Sequence, residues 1–212
     1  MRYVSKKMND SIEKLAELFR AFPGIGERQA RRFVYFLLSK DKGYLESLTN
    51  GISELKKNAR QCENCFRFFT DDGHEECDIC SNSKRNKNIL MIVEKDADVS
   101  SLEKSRVFSG KYFIFGGTVP IILKDTPLNV RIHELIKKLR LLLKNEDLKE
   151  IILGFSLTPA GDHTDTYIRE EINRALPNIK LIISSLGRGL STGTELEYSD
   201  KETLKSALEN RH

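Results

Sequence analysis

Residues 62–94 read CENCFRFFTDDGHEECDICSNSKRNKNILMIVE, and the fold on either side follows from this stretch. Its first part holds every cysteine in the chain: Cys62-x2-Cys65, eleven residues, then Cys77-x2-Cys80. Two CxxC pairs at this separation form opposed knuckles whose four thiolates can surround one tetrahedral ion. Zinc suits soft thiolates without redox chemistry, and one ion per chain is expected. An iron–sulfur site or two redox pairs are the alternatives. A closed four-sulfur site has no open coordination position, so its expected role is structural. Phe66, Phe68 and Phe69 between the pairs read as packing residues, and His74 as a bystander.

The second part, Asn88 to Glu94 (NILMIVE), is a continuous apolar run ending in an acid, the pattern of a buried strand. Toward the C-terminus the pattern alternates. A short helical stretch contains Val99 and Leu102, and Tyr112 to Phe115 is a second strand closed by Gly116-Gly117. Ile132, Leu135, Ile136, Leu139, Leu142 and Leu143 mark a periodic helix, Glu150 to Phe155 a third strand, Ile168, Ile172, Ala175 and Leu176 another helix, and Ile179 to Ile183 a fourth strand. Such alternation predicts a parallel sheet with flanking helices over 88–184. Functional groups of these sheets gather at the carboxyl ends of the strands. Glu94 and Asp162 are the candidates there. Paired acids in a crevice suit a divalent metal that moves phosphoryl groups, although either acid could instead cap a helix or pair with a cation.

Toward the N-terminus the chain is basic. Residues 1–61 carry 13 Lys and Arg against 7 Asp and Glu, and the remaining residues carry 22 against 24. The modest total of +4 conceals this asymmetry, which points to nucleic acid more than the total does. Ile12, Leu15, Ala16, Phe19 and Phe22 have helical spacing, with Asp10 or Ser11 as N-cap. Phe22-Pro23-Gly24-Ile25-Gly26 must turn the chain. From Glu27 to Leu38 a second helix places Ala30, Phe33, Val34 and Leu37 on one face and Arg28, Arg31, Arg32 and Tyr35 on the other. Leu45, Leu48, Ile52, Leu55 and Ala59 mark a third helix, weakened at Gly51. Gly24 and Gly26 permit a tight turn that bares backbone N–H groups at a helix N-terminus, where a phosphate can accept them beside Arg28, Arg31 and Arg32. A helical hairpin with a merely solvated basic face is the plainer alternative.

The order of parts, Pro-Gly-Ile-Gly hairpin, CxxC…CxxC, then an α/β unit opened by Ile-Val-Glu, resembles the bacterial RecR family of recombination mediators from about Ser11 to Arg211. CDICSNSKRNKNILMIVE is similar to that family's passage from zinc site to Toprim domain, YFIFGG to its second Toprim strand, and GTELEYSDKETLKSALENR to its Walker-B-like C-terminal signature. The resemblance implies four parts: a helix-hairpin-helix DNA-binding region at 1–61, a four-cysteine zinc finger at 62–81, a Toprim domain at 88–184, and an oligomerisation arm at 185–212. It implies a DNA-binding adaptor in DNA repair, not an enzyme. Such adaptors form homo-oligomeric rings, here expected to be tetrameric, and work with RecO and RecF to load RecA onto single strands coated by SSB at gaps. It places DNA contacts on Arg28 and Arg32, zinc on Cys62, Cys65, Cys77 and Cys80, and a RecO-facing acidic crevice on Glu94 and Asp162.

Two departures are informative. Ala160-Gly161-Asp162 stands where the family often has Glu-Gly-Glu, so an acid is missing from the crevice. That weakens the competing reading, a magnesium-dependent Toprim-type nuclease or primase-like enzyme. The segment after Gly117, TVPIILKDTPLN, is more apolar than the family's Pro- and Gly-rich loop. Leu186-Gly187-Arg188-Gly189 lacks the Gly-Lys-Ser/Thr of a P-loop. No apolar run follows Lys6 and Lys7 and none is long enough to span a bilayer, so a cytoplasmic protein away from membranes is expected.

Overall fold

The computed structural model describes residues 11–70, 73–121, 130–145, 148–187 and 201–209, and residues 193, 195, 197 and 199 between the last two spans. Asp10, most of the segment after Gly117 and twelve residues of the arm lie outside them. Two compact units divide the chain, Met1–Ala59 and Arg60–His212.

The first unit is helical. α1 (Ser11–Arg20) and α2 (Glu27–Leu38) form an antiparallel hairpin around Ala16, Ala30 and Val34, with Ile12, Leu15, Phe19 and Ile25 packed against them. Two small residues at the centre let the helices approach closely. Phe22 leaves the expected apolar stripe: α1 ends at Arg20 and Phe22 sits in the turn, 56% exposed, with its ring edge-on to Phe19 at 5.8 Å. α3 (Lys42–Asn58) is capped by Asp41, whose carboxylate accepts from the Tyr44 amide at 2.8 Å. It runs unbroken through Gly51, since one glycine costs only about 1 kcal/mol in a helix interior. None of its residues is buried.

The second unit holds a four-stranded, all-parallel sheet. β3 (Asn86–Val93) pairs with β4 (Gly110–Ile114) on one side and β5 (Glu150–Gly154) on the other, and β6 (Ile182–Ser185) lies beyond β5. In register, Met91 faces Tyr112 and Ile152, and Glu150 faces Ile182. The alternation of side chains separates two cores. Leu90, Ile92, Phe113, Phe115, Ile151 and Leu153 point to one face. There they meet Leu135 and Leu139 of α6 (Ile132–Lys144) and Ile168 and Ile172 of α7 (Pro159–Ala175). Met91, Val93, Tyr112 and Ile114 point to the other face, toward Val99 of α5 (Asp96–Ser105).

That second core also contains Cys62, Cys65, Cys77 and Ile79. The cysteine segment comprises β1 (Ala59–Gln61) paired with β2 (Phe68–Thr70), then the single turn α4 (Asp78–Ser81). Sequence reading treats it as a small module of its own. In the structure it packs on the sheet beside α5 and covers the outer edge of β4, where the Ile114 amide donates to the Cys65 carbonyl at 2.9 Å. An uncovered edge strand would offer unpaired backbone groups to other chains. α8 (Lys201–Glu209) includes Leu204 and Leu208, the latter 63% exposed.

Candidate functional site

Three places carry the side chains singled out above. The hairpin turn comes first. Gly24 has φ +75°, a left-handed conformation that glycine adopts without strain. Gly26 is different: its backbone is extended, and it is the N-cap of α2 with no side chain closing the first turn. The leading N–H groups of α2 therefore lack a side-chain cap, which is what an incoming anion needs. Gly26, Arg28 and Arg32 line one shallow depression there, and both arginines are exposed.

Arg31 does not join them. Its guanidinium Nη2 lies 3.1 Å from Glu13 of α1 and 3.3 Å from Glu27, and its Nε is buried without a hydrogen-bond partner. Its helical position explains this. Arg28, Arg32 and Tyr35 cluster within about 60° of one another, whereas Arg31 lies about 60° from Arg28 on the side of Glu27. There it meets the carboxylate of the antiparallel helix, a neighbour that one helix's wheel cannot show.

The cysteines form the second place. Their four sulfurs lie within 4.8 Å of one another, with Cys65 and Cys77 at 3.5 Å. Among the described residues no other group of three or more His, Cys, Asp or Glu comes as close. A tetrahedral ion with metal–sulfur bonds of about 2.3 Å places its sulfurs about 3.8 Å apart, so the residues present fit a metal ion. Each knuckle has a local cause. The Phe66 amide donates to the Cys62 carbonyl at 2.8 Å, and Phe66 takes a left-handed φ of 65° to close that turn. Cys77 caps α4, so Cys80 follows three residues later on the same face of one helical turn. Arg67 bridges to Asp78 at 2.6 Å and ties the knuckles together.

Crowding divides the thiols. The hydrogen bond from Cys65 leads in driving Cys62 down, and Cys77 is lowered to about 6, the hydrogen bonds from Cys65 and Cys80 outweighing the upward pull of Cys62. Cys65 and Cys80 are raised, first by their bonds to Cys62. Ligation by all four requires each as a thiolate, and a bound cation supplies the charge that stabilises them together. His74 is exposed and stands outside the sulfur cluster.

Residues that sequence reasoning passed over hold the cysteine segment in place. Lys138 of α6 donates to the Asn64 carbonyl at 2.6 Å, and burial pushes its ammonium below the usual lysine range. Lys111 donates to the carbonyls of Ile79, Cys80 and Asn82 at 2.9–3.0 Å. Arg131 donates to the Ile114 carbonyl and lies over the Phe66 ring at 5.1 Å. Arg85, hidden in the run KRNK, makes a bidentate pair with Glu103 at 2.8 and 2.9 Å, and Tyr112 donates to the same carboxylate at 2.7 Å. Burial opposes the charge on Glu103, but the hydrogen bonds from Arg85 and Tyr112 prevail and hold its carboxyl below the ordinary range. Nothing in a charge run distinguishes Arg85, whose own side chain is largely buried against a half-buried partner.

The strand ends are the third place. Glu94 follows β3, its carbonyl accepts from the Gly116 amide at 3.0 Å, and its carboxylate lies 3.9 Å from Lys95. Asp162 is on α7, which begins at Pro159, well before the Ile168 that sequence periodicity first marks. Thr158 caps the helix and accepts from the Gly161 amide at 3.2 Å. The Thr-Pro pair is a helix-start signal that could have located this end. Gly161 fits because a Cβ there would lie 1.9 Å from the Ser156 carbonyl oxygen. The cleft lined by Asp162 lies beside the ends of β5 and β6 and is shared with Asp165, Ser156 and Ser185; Glu94 is not part of its lining. Asp165 in turn is held by Arg169 at 2.6 Å and by the Ser185 hydroxyl, which fastens α7 to β6.

A helix-hairpin-helix unit, four clustered cysteines and a four-stranded parallel sheet define a multi-part protein of the Toprim class. Residues 12–56 match the family described as "RecR, helix-hairpin-helix", residues 88–184 the Toprim domain, and residues 189–212 "RecR, C-terminal". The chain is similar to proteins named "Recombination protein RecR". The one from Cytophaga hutchinsonii is 34% identical over 211 residues, covering 100% of this chain and 96% of the relative. That from Herpetosiphon aurantiacus is 34% identical, covering 95% and 94%, and that from Chlorobium limicola 33%, covering 100% and 98%. The chain belongs to the RecR family. Among its described residues no helix is long and apolar enough to cross a membrane.

Proposed function

We propose that this chain is a DNA-binding recombination mediator in DNA repair, an adaptor without catalytic activity of its own. The reading rests on the hairpin: an N-terminus of α2 without a side-chain cap, flanked by exposed Arg28 and Arg32, in a chain that aligns end to end with recombination proteins. Phosphate contacts of this kind carry no sequence information, which suits a protein acting wherever a gap occurs. Arg28 and Arg32 bind the backbone, and Gly24 and Gly26 shape the turn that presents it. Arg31 secures the hairpin. Zn2+, one per chain, is held by Cys62, Cys65, Cys77 and Cys80 and fixes the cysteine segment on the sheet. Glu94 and Asp162 face RecO. The oligomer is a tetrameric ring around DNA, RecF is a further partner, and the product of their joint action is RecA loaded onto SSB-coated single strands at gaps, in the cytoplasm. Domain boundaries follow as 1–61, 62–81, 88–184 and 185–212.

The test is a salt titration of DNA affinity. Arg28→Ala with Arg32→Ala should weaken binding to any sequence and flatten the slope of log K against log salt by about 1.8, at about 0.9 per lost duplex phosphate contact. An unchanged slope would remove the assignment. Glu94→Ala should leave DNA affinity intact while weakening RecO capture. Magnesium-dependent cleavage or extension of nucleic acid that Glu94→Ala abolishes would establish the enzymatic alternative.

A further inference from the structure

Helix α6 carries a surface that none of these roles uses. His133, Lys137, Arg140 and Lys144 recur at i, i+4, i+7 and i+11, and at 100° per residue they fall within about 60° of one another. All four are exposed. They make a ridge about 16 Å long at 1.5 Å per residue. Neither Lys137 nor Arg140 has an ion-pair partner among the described residues. Beside the ridge, between α6 and α7, runs a groove of about 500 Å³ with Ile136, Leu141 and Ala175 as its apolar part and His133, Lys137 and Arg140 along its rim. Leu141 is 58% exposed. The one acid in the lining, Glu171, is already paired with Arg174.

We propose that this groove binds a short acidic segment of a partner protein, its carboxylates on the ridge and one large apolar side chain against Ile136, Leu141 and Ala175. This goes beyond the DNA-binding reading and is independent of it. Charge complementarity identifies the class of occupant: cations without counterions along a low-dielectric groove attract a string of carboxylates. The ridge alone would also suit phosphates. The apolar floor at its side favours peptide, because a nucleic-acid backbone would leave Leu141 facing a hydrated strand. About five residues of extended chain span 16 Å, so the segment is short.

The probes are fluorescein-labelled octapeptides of Asp with a single central Leu or Phe, a matched peptide with Ala at that position, and a gapped DNA duplex. Anisotropy with the whole chain should show the Leu or Phe peptide binding several-fold more tightly than the Ala peptide. Lys137→Glu with Arg140→Glu should weaken it about tenfold, a few-fold for each exposed pair. Leu141→Asp should abolish the preference for Leu or Phe over Ala. Each of these positions is exposed, and circular dichroism checks the fold. DNA affinity should stay within about twofold. The proposal is overturned if no peptide binds at millimolar concentration, if the Ala peptide binds equally well, or if charge reversal lowers DNA affinity instead. It is also overturned if charge reversal changes the oligomeric mass, which would make the groove an interface between copies.

Discussion

Replacing Arg31 with alanine separates a residue that binds DNA from one that holds the DNA-binding hairpin together. Arg28 and Arg32 are exposed at the head of α2, so removing either should make the slope of log K against log salt shallower by about 0.9, the effect of one duplex phosphate contact. Arg31 instead sits 3.1 Å from Glu13 and 3.3 Å from Glu27. Its side chain is 43% exposed and that of Glu13 25%, so the interhelical pair contributes only about 0.5–1 kcal/mol. The pair with Glu27, 65% exposed, adds little. For a unit of this size that loss lowers the midpoint of hairpin unfolding by roughly 2–8 °C. The assays are fluorescence anisotropy across a potassium chloride series and thermal melts followed by circular dichroism. Arg31→Ala should leave the slope unchanged and lower the melt. A cycle with Glu13→Gln should return a coupling of about 0.5 kcal/mol or more. If Arg31→Ala flattens the slope as much as Arg28→Ala does and leaves the melt unmoved, Arg31 is a DNA ligand and the latch is wrong.

Gly161→Ala should destabilise the sheet unit by about 1–3 kcal/mol, because the new Cβ would stand 1.9 Å from the Ser156 carbonyl oxygen; Gly187→Ala, with no atom within 4 Å, is the control in the same denaturant titration. Glu103→Gln should cost about 1–2 kcal/mol at neutral pH, between the values for exposed and buried pairs. Because the folded carboxyl titrates below its unfolded value of about 4.3, that difference should hold from pH 8 to 6 and close as pH falls below about 4; a gap that widens in acid would contradict the pairing. Chelation of the proposed metal ion should speed amide exchange at Ile114, which donates to Cys65, before it affects the opposite edge at β6. Equal protection of Ile114 with and without metal would show that the cysteine segment holds the edge unaided.

Local pattern made much of this protein legible. α2 occupies Glu27–Leu38, the span its periodicity indicates, because twelve residues with one apolar stripe have few alternatives. The apolar runs at 88–94 and 150–155 are strands of a parallel sheet because only burial on both faces accommodates them. The start of α7 was less legible, since its first residues, Pro159 to Asp162, carry no apolar stripe and only the Thr158 cap announces the helix.

Sequence alone determined which thiols could share an ion, since CxxC spacing fixes the two knuckles within a few residues of backbone. It also determined where the positive charge is concentrated, and the alternation of strand side chains that separates Leu90 and Ile92 from Met91 and Val93. Only the tertiary structure decided which face each set meets. It placed the cysteine segment on the sheet as a layer beside α5, turned Arg31 back toward Glu13, and put Asp162 in a cleft with Asp165. The reason is one of range. Periodicity and turn chemistry are properties of neighbouring residues, whereas the partner of a charge or the cover of a strand edge comes from a segment distant in the chain, and no local pattern names it.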